Sequence, residues 1–457
     1  MEIAKSIFRE YDIRGVYPDQ VNENAISLIA KAIAIKCDQE NVREICIGRD
    51  GRLSGESLLK SLEKSLSCYG INIQNIGLVT TPLLYYAAKK NKCKSGVMIT
   101  GSHNPKNYNG IKLIINDKPV SGNEIYKLLD RNKDKSEVPG KIKFFDIKSN
   151  YVEEVKNNIQ IDENFRLKVV IDCGNGAAGC IAPKLFSELG CEVIELFTKV
   201  DGNFPNHHPD PSKEKNLEQL KSAVQENGAD IGFAFDGDGD RVGMITNSGD
   251  SVLADHLIMI LSEHYLKKKK GAIIFDVKCS SQLPILIENF GGTAIMEKTG
   301  HFNIKKAIKK YNAILGGEMS GHIFINHDWY GFDDAIYTAV MLAKVISDTG
   351  QPASSVIEQF PKTFTTPELN LDVDDVSKFK MVEKFKEQMK FPDAEFNTID
   401  GVRVSIGSSW GLMRASNTSP KLVFRFEAES KKDLEKIRSL FALNLKNIFP
   451  DLRLDFN

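Results

Sequence analysis

One local pattern occurs three times along the chain. A short apolar run rich in β-branched residues leads into a loop rich in Gly and Asp, and a helical pattern follows. Ile45-Cys46-Ile47 enters Gly48-Arg49-Asp50-Gly51, the run 168–171 enters Asp172-Cys173-Gly174-Asn175-Gly176, and the run 272–275 enters Asp276-Val277-Lys278-Cys279. The helical spacing is clearest at Leu58, Leu59, Leu62 and Leu66. Fully apolar strands alternating with helices predict mixed or parallel sheets covered on both faces, hence an α/β fold. Each unit also carries a second strand ending in a polar loop: Val97-Met98-Ile99 before 100–105, 231–235 before 236–241, and Ala313-Ile314-Leu315 before 316–322. Ligands of such sheets bind beyond the carboxyl ends of the strands, so the three loops are expected to converge on one site.

The length of 457 residues agrees with several units, because a single core stops growing near about 250–300 residues. The last part has a different grammar. After Pro361 and Pro367 comes a helical row, Val376, Phe379, Val382 and Phe385, and then two alternating strands at 402–406 and 422–426. Ser430 opens a final helix with Leu434, Ile437, Phe441 and Ile448 on one face. Alternation with Arg and Ser predicts a sheet with one solvated face, hence a smaller α+β domain. The expected domains are 1–147, 148–250, 251–365 and 366–457.

Lys plus Arg number 60 and Asp plus Glu 61, a formal net charge of −1. So even a balance gives no long-range field for a polyanion or an anionic membrane, and neither nucleic acid nor membrane is an expected partner. Phosphate, if handled at all, must be held by a few placed charges. The run Lys267 to Lys270 ends a helical pattern, where cations favour the helix dipole. The eight cysteines form no C-x-x-C pair and read as reduced packing thiols. Residues 1–15 are charged, without the apolar core of a signal peptide, and the longest apolar stretch, 257–261, is far too short to span a bilayer. The expected location is cytoplasmic. No exposed apolar helix stands out, so the expected state is a monomer or weak homo-oligomer.

The loop Asp236-Gly237-Asp238-Gly239-Asp240-Arg241 alternates carboxylates with glycines, which permit the backbone angles that turn three carboxylates to one point. Such a cluster repels itself unless a cation neutralises it, and oxygen-only ligands favour Mg²⁺, Mn²⁺ or Ca²⁺. A calcium-binding EF-hand is excluded, because Arg241 stands at the required glycine and Asn247 at the required glutamate. The loop Thr100-Gly101-Ser102-His103-Asn104-Pro105 lacks the flanking glycines of a hydrolase nucleophile elbow. By composition alone it reads as an ordinary turn. Arg414-Ala415-Ser416-Asn417-Thr418-Ser419-Pro420 combines a guanidinium, hydroxyls and backbone N–H groups suited to a phosphate; a plain surface turn fits that composition equally well.

Together with Tyr11-Asp12-Ile13-Arg14-Gly15, Asp276 to Cys279, Thr299-Gly300-His301 and Glu318 to His322, these loops resemble, in order and over nearly the whole chain, the α-D-phosphohexomutase superfamily. The resemblance is greatest to its phosphomannomutase/phosphoglucomutase members. It implies four domains around a central active-site cleft, three related α/β domains and a smaller C-terminal α+β domain. It implies reversible interconversion of hexose 1- and 6-phosphates of mannose and glucose through a phosphoserine and a hexose 1,6-bisphosphate, which also serves as phosphorylating activator. By the same resemblance Ser102 is the phosphorylated serine, and Ser102, Asp236, Asp238 and Asp240 hold one Mg²⁺. Arg14, Lys112 and His322 act in catalysis, with Lys112 or His322 as the base. Glu318 and Ser320 bind the sugar hydroxyls. Arg414, Ser416, Asn417 and Thr418 grip the phosphate that is not transferred, while Tyr11, Arg241, Lys278 and His301 line the cleft. The other histidines, His207, His208, His256, His264 and His327, are expected to be structural. Met319 and Asn417 favour the phosphomannomutase/phosphoglucomutase group, since glucosamine enzymes usually carry glutamine at the position of Met319. The alternatives are a phosphoglucosamine mutase and a sugar-phosphate-binding module without catalysis.

Overall fold

The computed structural model describes residues 3–159, 166–417 and 419–452. Its first three units contain the same four-strand core. In the first, Asn72–Leu78, Glu44–Arg49 and Gly96–Ile99 are parallel neighbours, and Tyr108–Ile115 returns antiparallel beside the last. The second repeats this with Glu192–Leu196, Lys168–Asp172, Ile231–Phe235 and Val242–Thr246. The third does so with Thr293–Glu297, Ala272–Asp276, Leu315–Gly317 and Ile323–Ile325. The polar loops that end the second apolar run of each unit therefore join the third strand to its antiparallel return. All three project from the same end of their sheets. The third unit's strand begins at Leu315, two residues later than its apolar run. The preceding helix, His301–Tyr311, ends on Asn312 in the left-handed conformation (φ 46°), and the chain enters the sheet only after Ala313 and Ile314 are buried.

Helices cover the sheets as the spacing predicts: Gly55–Cys68 buries Leu58, Leu59, Leu62 and Leu66. The three units are fused through apolar surface, with one core cluster running through all of them. At their junction Tyr86, Tyr151 and Trp329, one from each unit, pack together. Tyr86 stacks on Trp329 with centroids 5.9 Å apart, and Tyr151 meets both rings edge-on.

The fourth unit is an antiparallel sheet, Glu395–Asn397, Val402–Ile406, Ser409–Ala415 and Lys421–Ala428, edged by Phe364–Thr365 and Leu369–Asp372. It has its own core, centred on Phe385, Phe426 and Phe441. Two expectations are corrected here. The helix of the apolar row spans Lys378–Gln388; Val376 falls in the turn before it, where Asp374 Oδ1 accepts the N–H groups of Val376 and Ser377, and Phe379, in the first turn of the helix, is half exposed. The sheet face carrying Arg403 and Arg425 is not solvated; they are 5% and 1% exposed. That face docks on the third unit. Arg403 donates to the carbonyls of Val277 (2.7 Å) and Cys279 (2.9 Å) and lies 3.7 Å from the Trp410 ring centroid. Arg425 donates to the Lys278 carbonyl and pairs with Asp255 (3.3 Å). Alternation records which side chains share a face, not whether that face meets water. Among the described residues no helix is long and apolar enough to cross a membrane.

Candidate active site

Ser102 lies in the first hairpin loop, buried, with φ +49°. A non-glycine residue in that region is held there by its surroundings. Arg52, fully buried at the end of the neighbouring strand, donates to four carbonyls of the loop: Ser102 (2.7 Å), Asn104 (2.6 Å), Pro105 (2.6 Å) and Tyr108 (2.9 Å). Asp50 braces the guanidinium (3.3 Å) and accepts from Thr100 Oγ1 (2.7 Å), while Thr100 Oγ1 accepts the Ser102 N–H (2.8 Å). The planar fork thus fixes the loop from beneath, and Ser102 Oγ, 3.1 Å from His103 Nδ1, faces the second unit.

There Ser102 Oγ stands 3.2 Å from Asp236 Oδ2. The close approach depends on Gly237, where a Cβ would come within 2.5 Å of the Ser102 carbonyl oxygen. Asp236, Asp238 and Asp240 are all fully buried, and one carboxylate oxygen from each lies within 4.8 Å of the others. Asp236 Oδ1 accepts the N–H groups of Asp240 (3.0 Å) and Arg241 (3.2 Å), which closes the turn. The first unit anchors it: Thr81, at the start of the helix Thr81–Lys90, donates its N–H to the Asp238 carbonyl (2.8 Å) and its hydroxyl to Asp238 Oδ2. Lys112 pairs with Asp238 (2.7 Å) and Asp240. Burial opposes its charge, but these carboxylates outweigh that and hold its pKa well above a lysine's usual value. Burial, then the neighbouring Asp240 and Asp238, push Asp236 well above the carboxylate range. Oδ1 of Asp238 and of Asp240 are buried without a hydrogen-bond partner. Three carboxylates, two with orphaned oxygens, beside a serine hydroxyl make a donor set that fits a hard divalent cation.

The third hairpin loop supplies Glu318, Ser320 and His322. Glu318 is buried and accepts the Gly300 N–H, at the start of the helix that opens with His301. Ser320 lies half-buried two residues on. Arg241 Nε donates to His322 Nε2 (3.0 Å), which leaves the ring proton on Nδ1, 3.2 Å from Asp333 Oδ2 and 3.5 Å from Asp240 Oδ1. Burial and then Lys305 push the pKa of His301 far below its usual value, so its ring is neutral in the cleft.

The fourth unit closes the remaining side. Arg414 pairs with Asp400 (2.8 Å), which also accepts the Thr299 N–H (3.0 Å). Tyr11 of the first unit donates to the Thr299 carbonyl (3.0 Å), and Asn417 Nδ2 donates to the Tyr11 hydroxyl. Ser416 Oγ is 2.8 Å from Ser419 Oγ. Thr418 lies outside the described residues. Lys278 pairs with Glu368 (3.0 Å), and Arg14 with Asp12. The structure thus places the residues singled out in the sequence, Thr418 aside, on loops, strands and one helix start of four units that contact one another around the acidic cluster. Sequence reasoning missed Arg52, Thr81 and Asp333. Arg52 alone carried a signal: it follows Gly48-Arg49-Asp50-Gly51, the loop of the first repeat, where the other repeats place Asp172 and Asp276. Of the histidines taken as structural, His207 pairs with Asp172 (2.9 Å). His208 bonds the His103 carbonyl behind the serine loop.

Known proteins share this organisation. The chain matches family models described as phosphoglucomutase/phosphomannomutase alpha/beta/alpha domain I over residues 5–137, domain II over 149–249 and domain III over 254–364, and the C-terminal domain over 368–443. It is 48% identical over 457 residues to a phosphomannomutase/phosphoglucomutase of Pseudomonas putida, covering 99% of this chain and 98% of that one. It is 43% identical to a phosphoglucomutase of Neisseria gonorrhoeae, covering 96% of each. The crystal structure of a phosphoglucomutase/phosphomannomutase family protein from Burkholderia thailandensis superposes with a TM-score of 0.93 at 37% identity, covering 100% of both chains.

Proposed function

We infer the activity from kinship and geometry together: the chain belongs to the phosphoglucomutase/phosphomannomutase family and is a phosphohexomutase, an isomerase that interconverts hexose 1- and 6-phosphates. The observation that supports the chemistry most strongly is the placement of Ser102 Oγ, 3.2 Å from Asp236 at the edge of the three-carboxylate cluster.

Phosphorylated Ser102 is the donor. A hydroxyl oxygen of the bound hexose phosphate attacks phosphorus, the bond from phosphorus to Ser102 Oγ breaks, and a hexose 1,6-bisphosphate forms. The hydroxyl proton passes to the His322 ring, whose Nε2 first gives up the N–H it accepts from Arg241 Nε (3.0 Å). Lys112, a pinned ammonium, serves better as a cation toward the transferring group than as the base, and Arg14 joins it. The bisphosphate turns end for end and returns its other phosphate to Ser102, and free hexose 1,6-bisphosphate primes the enzyme by the same route. Asp236, Asp238, Asp240 and an oxygen of the Ser102 phosphate would hold Mg²⁺, which supplies charge neutralisation of the transferring phosphoryl group.

Glu318 and Ser320 take the sugar hydroxyls, and Arg414, Ser416, Asn417 and Thr418 the distal phosphate, with Tyr11, Arg241, Lys278 and His301 lining the cleft. The proposed domains are 1–147, 148–250, 251–365 and 366–457, with Phe364–Thr365 reaching across to pair with the fourth unit's sheet, in a cytoplasmic monomer or weak homo-oligomer. The test is a coupled assay of the purified protein with Mg²⁺ on mannose, glucose and glucosamine 1-phosphates. Turnover of the mannose and glucose esters above the amino sugar is expected; preference for the amino sugar would replace this reading with a phosphoglucosamine mutase.

A further inference from the structure

A cavity of about 780 Å³ opens between the first and third units, on the far side of the helix His301–Tyr311 from the sugar loop. Its volume falls within the roughly 300–1,000 Å³ typical of small-molecule sites. Seven lysines and three carboxylates line it, an excess of four positive charges in a chain whose net charge is −1. Three of the lysines are neutralised. Lys36 pairs with Glu40 (3.2 Å) and Glu124 (3.7 Å), Lys89 with Asp117 (3.0 Å), and Lys305 with Asp333.

The other four, Lys118, Lys306, Lys309 and Lys310, have no ion-pair partner among the described residues. They come from both walls: Lys118 from the short strand Lys118–Pro119 that pairs with the end of Tyr108–Ile115, and the other three from successive turns of one helix. Lys306 lies over the Phe302 ring (4.1 Å) and Lys310 over the Tyr311 ring (4.6 Å), so neither charge is matched by a carboxylate, and an anion in the cavity meets a net positive lining. The floor is apolar, with Ile114, Ile308 and Val120, and Tyr330 stands at the wall with its ring parallel to that of Phe332 (5°, centroids 6.0 Å). Such a lining fits a ligand that is anionic at one end and planar or apolar at the other.

The cavity is separate from the catalytic cleft yet shares a partition with it. Lys305 faces the cavity across the Tyr85 ring (4.2 Å to its centroid), and its partner Asp333 holds His322 on the cleft side.

We propose that this cavity is a second ligand site that takes a small organic phosphate with a planar body, of which a nucleoside diphosphate is the representative. Lys118, Lys306, Lys309 and Lys310 receive the phosphates, and the apolar floor and Tyr330 receive the ring. The proposal does not depend on the mutase reading, and its test keeps the two apart.

The test is calorimetric titration of the intact protein with ADP while glucose 1,6-bisphosphate saturates the catalytic cleft. One ADP per chain is expected. Lys118→Gln on one wall and the double change Lys309→Gln, Lys310→Gln on the other should each weaken it roughly tenfold, about 1.4 kcal/mol. Mutase kcat/KM in these variants should stay at the parent value. Adenosine and inorganic phosphate, titrated separately, should each bind at least roughly tenfold more weakly than ADP. Absence of ADP binding, its displacement by the bisphosphate, or indifference to both sets of variants would overturn the proposal. Inorganic phosphate binding as tightly as ADP would overturn the organic class of the ligand.

Discussion

The first three units and the fourth are held by different forces. Units one to three share one apolar core and meet at a ring cluster of Tyr86, Tyr151 and Trp329. The fourth keeps a core of its own and docks through directional bonds from Arg403 and Arg425 to three consecutive carbonyls around Lys278, beside one small apolar contact of Val277 with Trp410 and Leu412. A fused core resists relative movement of its parts, since close-packed interiors do not deform continuously. A hydrogen-bonded seam can open and re-form. The division matches the chemistry. Ser102, the proposed nucleophile, and the acidic cluster lie in the fused part, and Arg414, Ser416 and Asn417, proposed to grip the distal phosphate, lie on the separable one. The contrast teaches where rigidity is needed in such a reaction: a bisphosphate that turns end for end needs a fixed donor and a grip that can release.

The sharpest way to break this comparison is to damage the fused half. Ser102→Ala should remove mutase turnover, a fall of at least about 10³-fold in kcat, with hexose phosphate binding retained, as read by the coupled assay and by titration. Arg52→Lys keeps the charge and loses the fork that holds four carbonyls. It should cost about 10²-fold in kcat and about 3 kcal/mol of stability, as expected for a buried charged group whose partners are left unsatisfied. Thermal unfolding and initial rates report the two effects separately.

Changes on the seam should be milder and of another kind. Arg403→Met should raise KM for the hexose phosphate about tenfold with a smaller change in kcat, because the grip is misplaced while the donor is not. Calorimetry should then split a separate transition for the fourth unit from that of the other three. A single unchanged transition would mean that the fourth unit is fused like the others. Tyr11→Phe removes only the hydroxyl that Asn417 and Thr299 share, and about threefold in KM is expected.

The smallest effect is one of pH. Burial works against protonation of His207, but the hydrogen bond and charge of Asp172 outweigh it, and its pKa is raised. A raised histidine contributes stability that is whole below the unfolded value of about 6.5 and is lost as pH rises through the folded value. His207→Asn should therefore flatten the decline of stability above about pH 6.5, measured by urea unfolding, without altering the metal loop.

The threefold repeat and the polar loops that end the second strand of each unit, with the clustered carboxylates of 236–240 among them, were legible because each is written locally: a run, a turn and a charged tip within a dozen residues. What escaped depends on distance along the chain. Arg52 reaches carbonyls 50 to 56 residues away, and Thr81 meets Asp238 at a separation of 157. Neither partner is visible from the other's sequence. Arg403 and Arg425 were misread for a related reason. A strand's alternation sorts side chains onto two faces, and only the docking of another unit, supplied by residues 277 to 279, decides that a polar face is buried. The row from Val376 to Phe385 failed at its first member because a turn stabilised by Asp374 outweighed helical spacing.

The central claim is that Ser102 carries the phosphoryl group. It is tested most directly by incubating the protein with hexose 1,6-bisphosphate and Mg²⁺, then mapping phosphorylation by peptide mass spectrometry. The account predicts a single phosphorylated site at Ser102, lost again when hexose monophosphate is added in excess. A Ser102 peptide that stays unmodified in a protein that turns over hexose phosphates would contradict it.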